Sequence, residues 1–124
     1  MAAALCLSGA PVLPLPEGRF TLEWRHSVEH VAWREFWQVS EGALTLTAAA
    51  VKGSGAGMEP GEGAVLADGW WRWLVVPPRA VPELVLGASG ATEGGWLLCD
   101  PATETCREIG AQTGAPLVLA PCAR

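Results

Sequence analysis

The strict two-residue alternation from Phe20 to Val39 constrains this chain more than any other feature. Phe20, Leu22, Trp24, His26 and Val28 fall on one side of an extended segment, and Thr21, Glu23, Arg25 and Ser27 fall on the other. After a short break, Trp33, Glu35, Trp37 and Val39 alternate in the same way with Arg34, Phe36 and Gln38. A helix would scatter these residues around its axis, whereas a β-hairpin gathers them on one buried face. Each predicted strand carries one polar residue on its apolar face, His26 or Glu35. With a four-residue loop that sets Val28 opposite Trp33, the register puts Trp24 opposite Trp37 and His26 opposite Glu35. The expected result is a histidine–carboxylate pair walled by indoles.

The remaining segments read the same way. Fifteen glycines and ten prolines punctuate short apolar runs along 124 residues, a pattern of turns between strands. Asp68-Gly69 is a two-residue hairpin signal between Val65-Leu66 and Trp70–Val76, and Pro77-Pro78 is expected to end that strand. Pro11 and Pro14 confine an early strand to a sheet edge, because proline donates no ladder hydrogen bond. The alanine run at 48–50 is short, uncapped and preceded by Thr-Leu-Thr, so Leu44 to Val51 reads as strand. The expectation is one domain over 1–124, all-β, an antiparallel sandwich or open barrel of about eight to ten short strands.

Composition excludes several function classes. A net charge of −5 and a single lysine, Lys52, leave no basic surface for nucleic acid. No run approaches the roughly 20 apolar residues of a membrane span. Four cysteines permit two disulfides in three connectivities. The spacing of Cys99 and Cys106 suits a bridge across the base of a hairpin loop, and Cys6 and Cys122 could tie the first strand to the last. No metal-knuckle spacing occurs, so disulfides and an oxidising compartment are the expected reading. The opening MAAALCLSGA lacks a positive n-region and its apolar run is short for an export signal, so the chain is expected to begin after a removed leader.

Three patterns invite chemistry. His26-Ser-Val-Glu-His30 matches an H-x-x-E-H zinc motif, but that chemistry needs a helix to place both histidines on one face. His26 and Ser27 are neighbours on a strand and point apart, which removes a nucleophile–base pair. Lys52 followed by Gly53-Ser-Gly-Ala-Gly57 could cradle an anion on backbone N–H groups, yet it is neither a Walker loop nor a dinucleotide fingerprint. Catalytic residues, metals and cofactors are therefore not expected. A small polar ligand could be held by His26, Ser27, Glu35, Lys52, Gly55, Ala56 and Gly57. Packing within the fold is the competing use of His26 and Glu35. Seven tryptophans raise a further reading, sugar stacking as in carbohydrate-binding modules, with Trp70 and Arg72 as the candidate contact patch.

Phe20-Thr-Leu, His26-Ser27-Val28-Glu29, Glu35, Gly55-Ala56-Gly57-Met58 and Asp68-Gly69-Trp70-Trp71, in this order and spacing, resemble a bacterial family, domain of unknown function 1850. The resemblance spans about Leu5 to Cys122. It implies a small β-rich domain, often encoded beside tripartite ATP-independent periplasmic (TRAP) transporters of the TAXI type, whose members are exported or membrane-anchored. No activity carries over, only the positions His26, Ser27, Glu35, Gly55, Ala56 and Gly57. The expected function is a non-enzymatic, extracytoplasmic (periplasmic) accessory domain that contacts a solute-binding protein or permease. The alternatives are a small-molecule or anion-binding module and a carbohydrate-binding module.

Overall fold

The computed structural model describes residues 4–26, 31–52, 61–87, 92–110 and 114–122. Among the described residues the chain forms eleven strands and no helix. They are β1 (Leu5–Leu7), β2 (Ala10–Leu13), β3 (Arg19–His26), β4 (Ala32–Ser40), β5 (Ala43–Lys52) and β6 (Val65–Ala67). There follow β7 (Trp70–Val81), β8 (Leu84–Leu86), β9 (Thr92–Asp100), β10 (Thr105–Ile109) and β11 (Leu117–Pro121). Four strands make one sheet in the order β2-β1-β11-β8, and seven make the other in the order β10-β9-β3-β4-β5-β7-β6. The two sheets share one core, so the fold is the expected all-β architecture with slightly more strands and no closed barrel.

Turn chemistry sets the short connections. Asp68 and Gly69 take φ of 52° and 84° between β6 and β7, and Ser8 and Gly9 take 48° and 91° between β1 and β2. Both pairs are left-handed at two successive positions, which matches the twist of adjoining strands. β2, with Pro11, sits at the edge of its sheet, where a missing N–H costs nothing. Leu5 opposes Pro121 where the first and last strands meet, and the Cys6–Cys122 disulfide fastens them across 4.9 Å between Cα atoms.

The core is the inward face of the predicted hairpin. Phe20, Leu22, Trp37 and Val39 are buried with Leu44, Leu46, Trp96 and Leu98 of the same sheet and Leu5, Val12, Leu86 and Leu119 of the other. Trp33, Trp71 and Trp73 continue this face past the core, because Trp33 pairs with Val51 and Val51 with Trp71, while Ala49 pairs with Trp73.

Two expectations need correction. The hairpin register differs by four from the expected one: Phe20 opposes Trp37, Leu22 opposes Glu35 and Trp24 opposes Trp33. The parity, and therefore the faces, are as expected, but His26 at the end of β3 lies four residues along from Leu22, about 13 Å from the partner of Glu35. The observed register wins on both faces. On the inner face it stacks Phe20 on Trp37 at 6.3 Å and Trp24 on Trp33 at 6.5 Å. On the outer face it sets Glu23 opposite Arg34 in an ion pair, where the expected register would have faced Glu23 with Gln38.

The second correction concerns Pro77 and Pro78, which lie inside β7 instead of ending it. Pairing with β5 is interrupted there: Leu46 opposes Arg79 and Ala48 opposes Leu74. Val75 to Pro78 therefore stand against Thr47 alone, in an insertion that asks neither proline for a ladder hydrogen bond.

Candidate functional site

Glu35 is the carboxylate of the hairpin that the alternation places on the inner face of the large sheet. Its row runs from Leu22 on β3, through Glu35 on β4 and Ala49 on β5, to Trp73 on β7. Trp33 and Trp37 flank it along β4, and Trp33 meets Trp73 edge to face at 6.4 Å. The small Ala49 stands between Glu35 and Trp73 in this row. Glu35 Oε1 accepts a hydrogen bond from Trp37 Nε1 at 3.2 Å. Loss of water pushes the Glu35 pKa above its ordinary 4.5, opposed by the Trp37 hydrogen bond and the positive charge of Arg79. Gly61 lies hard against the Trp73 indole, where a Cβ would stand 2.3 Å from Cδ1. The arrangement is a half-buried acid in an aromatic cage, able to accept hydrogen bonds or to hold a proton.

The outer face of the same sheet carries a second constellation. Arg34 of β4 reaches across β5 to place its guanidinium 4.0 Å from the Trp70 ring centroid. Arg72 of β7 reaches back across the same strand to sit 4.3 Å from the Phe36 ring. Between them Ala48 and Ala50 are almost wholly buried, and only residues this small let the long side chains meet over the strand. Arg34 is held further by Glu23, whose Oε1 accepts from Nε at 2.9 Å and Nη2 at 2.7 Å. Lys52 adds a weaker contact to Trp70 at 5.9 Å.

The sequence-predicted residues thus separate. Glu35 is on the inner face; Lys52, Trp70 and Arg72 are together on the outer face, with Arg72 exposed and Trp70 half-buried. His26 ends β3, away from Glu35, and its side chain lies outside the described residues. Ser27, Gly55, Ala56 and Gly57 also lie outside them. Cys99 and Cys106 oppose each other on β9 and β10 and are bridged, as are Cys6 and Cys122. Among the described residues no group of three or more His, Cys, Asp or Glu converges as a metal site would require.

Sequence reasoning missed Phe36, Arg34 and Glu23 as one lattice. The signal was present in the alternation, since all three are on the polar face of the hairpin, but the slipped register hid their partnership. It also missed Asp100, which is fully buried: its carboxylate accepts from Ala102 N at 2.9 Å and Thr103 Oγ1 at 2.8 Å, shaping the turn between the bridged cysteines.

The chain has no match among curated proteins and none among solved structures. The model of one family, described as domain of unknown function (DUF1850), matches residues 20–105. That span holds the hairpin, the alanine strand, the Asp-Gly turn and the tryptophan strand, and the chain belongs to this family.

Proposed function

We propose that this chain is a non-enzymatic extracytoplasmic accessory domain that assists a TRAP-type (TAXI) solute transporter by contacting its solute-binding protein or permease. The observation that carries this reading is the aliphatic rim of the large sheet. Val65, Leu66, Leu74 and Val76 are exposed by 66%, 54%, 69% and 81%, all on β6 and β7 at one sheet edge. An edge strand with bare aliphatic side chains is an aggregation hazard unless something covers it, and a partner protein is a natural cover. The two disulfides support an oxidising compartment, and among the described residues no helix is long and apolar enough to cross a membrane. Family membership supports the transporter context through the gene neighbourhood the resemblance implies.

Native mass spectrometry of the chain with the solute-binding protein and the detergent-solubilised permease of the transporter encoded beside it tests the proposal. A complex at micromolar concentration is the expected result; separate species throughout would contradict it.

The raised pKa of Glu35 within its aromatic cage supports a second reading, a small-molecule binding module. It uses Glu35 without His26, since the register separates the two. A third reading, sugar stacking, has the weaker support, since none of the seven tryptophans is fully exposed.

A further inference from the structure

A cavity of about 330 Å³ opens between the outer face of the large sheet and the turn after β9. Arg19, Phe36, Gln38 and Arg72 line it, with Pro101 and Ala102 on the turn side. Its size lies within the range of small-ligand sites. Its charge is unusual for this chain, which has net charge −5: two guanidiniums face the cavity beside one carboxylate, Glu17, already bonded to Arg19.

Arg72 is the group with chemistry to spare. It lies over the Phe36 ring, and no ion pair to it is found among the described residues. Stacking occupies the face of a guanidinium but leaves its in-plane N–H donors directed outward, the fork that matches a carboxylate. Arg34 makes the contrast: its guanidinium lies over Trp70 in the same way, but its Nε and Nη2 already donate to Glu23. Phe36, Pro101 and Ala102 add an apolar wall beside the charge.

We propose that this cavity binds a small organic acid, its carboxylate on Arg72 and Arg19 and its apolar body against Phe36 and the Pro101-Ala102 turn. The Cys99–Cys106 bridge and the Asp100 hydrogen bonds fix that turn before any ligand arrives, so the wall is pre-organised. This site borders the aliphatic rim, since Arg72 pairs with Val65 across β6 and β7, but it does not depend on the docking role proposed above.

Benzoate and benzamide, nearly equal in shape and different in charge, test it by NMR titration of the intact oxidised chain, with inorganic phosphate as a third probe. Benzoate is expected to shift the Arg72 side-chain Nε–H and the Phe36 and Ala102 amides, and to bind at least tenfold more tightly than benzamide or phosphate. Arg72→Gln should remove at least tenfold of that affinity while the urea midpoint stays close to the wild-type value. Equal binding of benzamide would overturn recognition of charge, and equal binding of phosphate would overturn recognition of an acid with an apolar body. Benzoate shifts that fall elsewhere, or none at millimolar concentration, would overturn the site itself.

Discussion

Glu35 shows what a single residue in the wrong company does. A carboxyl whose pKa is raised in the folded state holds its proton more tightly there than in the unfolded chain. Its stabilising contribution is therefore complete below the ordinary value of 4.5 and is lost as the pH rises through the higher folded-state value. Glu35→Gln keeps an acceptor for Trp37 Nε1 and removes the buried charge. The variant should match the wild type near pH 4 and be the more stable of the two at pH 8, with a flatter dependence between them. Thermal melts of both proteins at four or five pH values check this. A cost that grows with pH would mean that the ionised form is favoured where it stands.

The outer-face pairs predict coupling of modest size. Truncating Arg34 and Trp70 singly and together should give an interaction energy of about 0.5–1 kcal/mol in urea unfolding, the range for a partly exposed cation–π contact. Half of this was legible beforehand. Parity placed each residue on its correct face, and Glu35 stood out because it broke an apolar series. Which residue lay opposite which was not legible. A four-residue loop fits the stretch from Ser27 to His30 as well as the one two positions later. The choice rests on the sum of two aromatic stacks and one ion pair, which no single strand reveals.

At the level of elements, β5 explains its own composition. Ala48, Ala49 and Ala50 read as weak helix in isolation, yet in the sheet each has a reason to be small. Ala49 stands between Glu35 and Trp73, while Ala48 and Ala50 lie under the crossed arginine–aromatic pairs. Ala50→Leu should cost about 1–3 kcal/mol by overpacking, despite raising the hydrophobicity of the strand; the shift in urea midpoint measures it. Strand identity was legible for nearly every element, because turns at Ser8-Gly9, Glu41-Gly42 and Asp68-Gly69 mark the ends. The passage of β7 through Pro77 and Pro78 was not, since a proline pair normally stops a strand. It depends on Thr47, thirty residues away, at the interruption in β5 pairing, and Thr47 Oγ1 also bonds the Phe36 carbonyl at 3.2 Å.

For the whole molecule, the two disulfides differ in reach. Cys6–Cys122 closes a separation of 116 residues and joins the strands that begin and end the chain, whereas Cys99–Cys106 spans 7 within one hairpin. In the chain-entropy picture the long closure contributes about 4–5 kcal/mol and the short one about 2–3 kcal/mol. Cys6→Ser/Cys122→Ser should therefore lose more stability than Cys99→Ser/Cys106→Ser when both are unfolded in urea. The reverse order would mean that the hairpin bridge holds more of the fold than its loop length implies.

The proposed docking role is a property of the assembled sheet, for Val65 joins Leu74 on one face of the rim only once β6 pairs with β7. The most direct measurement is the affinity of the chain for the solute-binding protein and permease, compared among the wild type, Leu74→Glu/Val76→Glu, and Val85→Glu. Val85 is 60% exposed on the other sheet and serves as the control. The account predicts micromolar or tighter binding to one of these proteins, at least a tenfold loss in the double variant, and none in the control. Equal affinity across all three would contradict it.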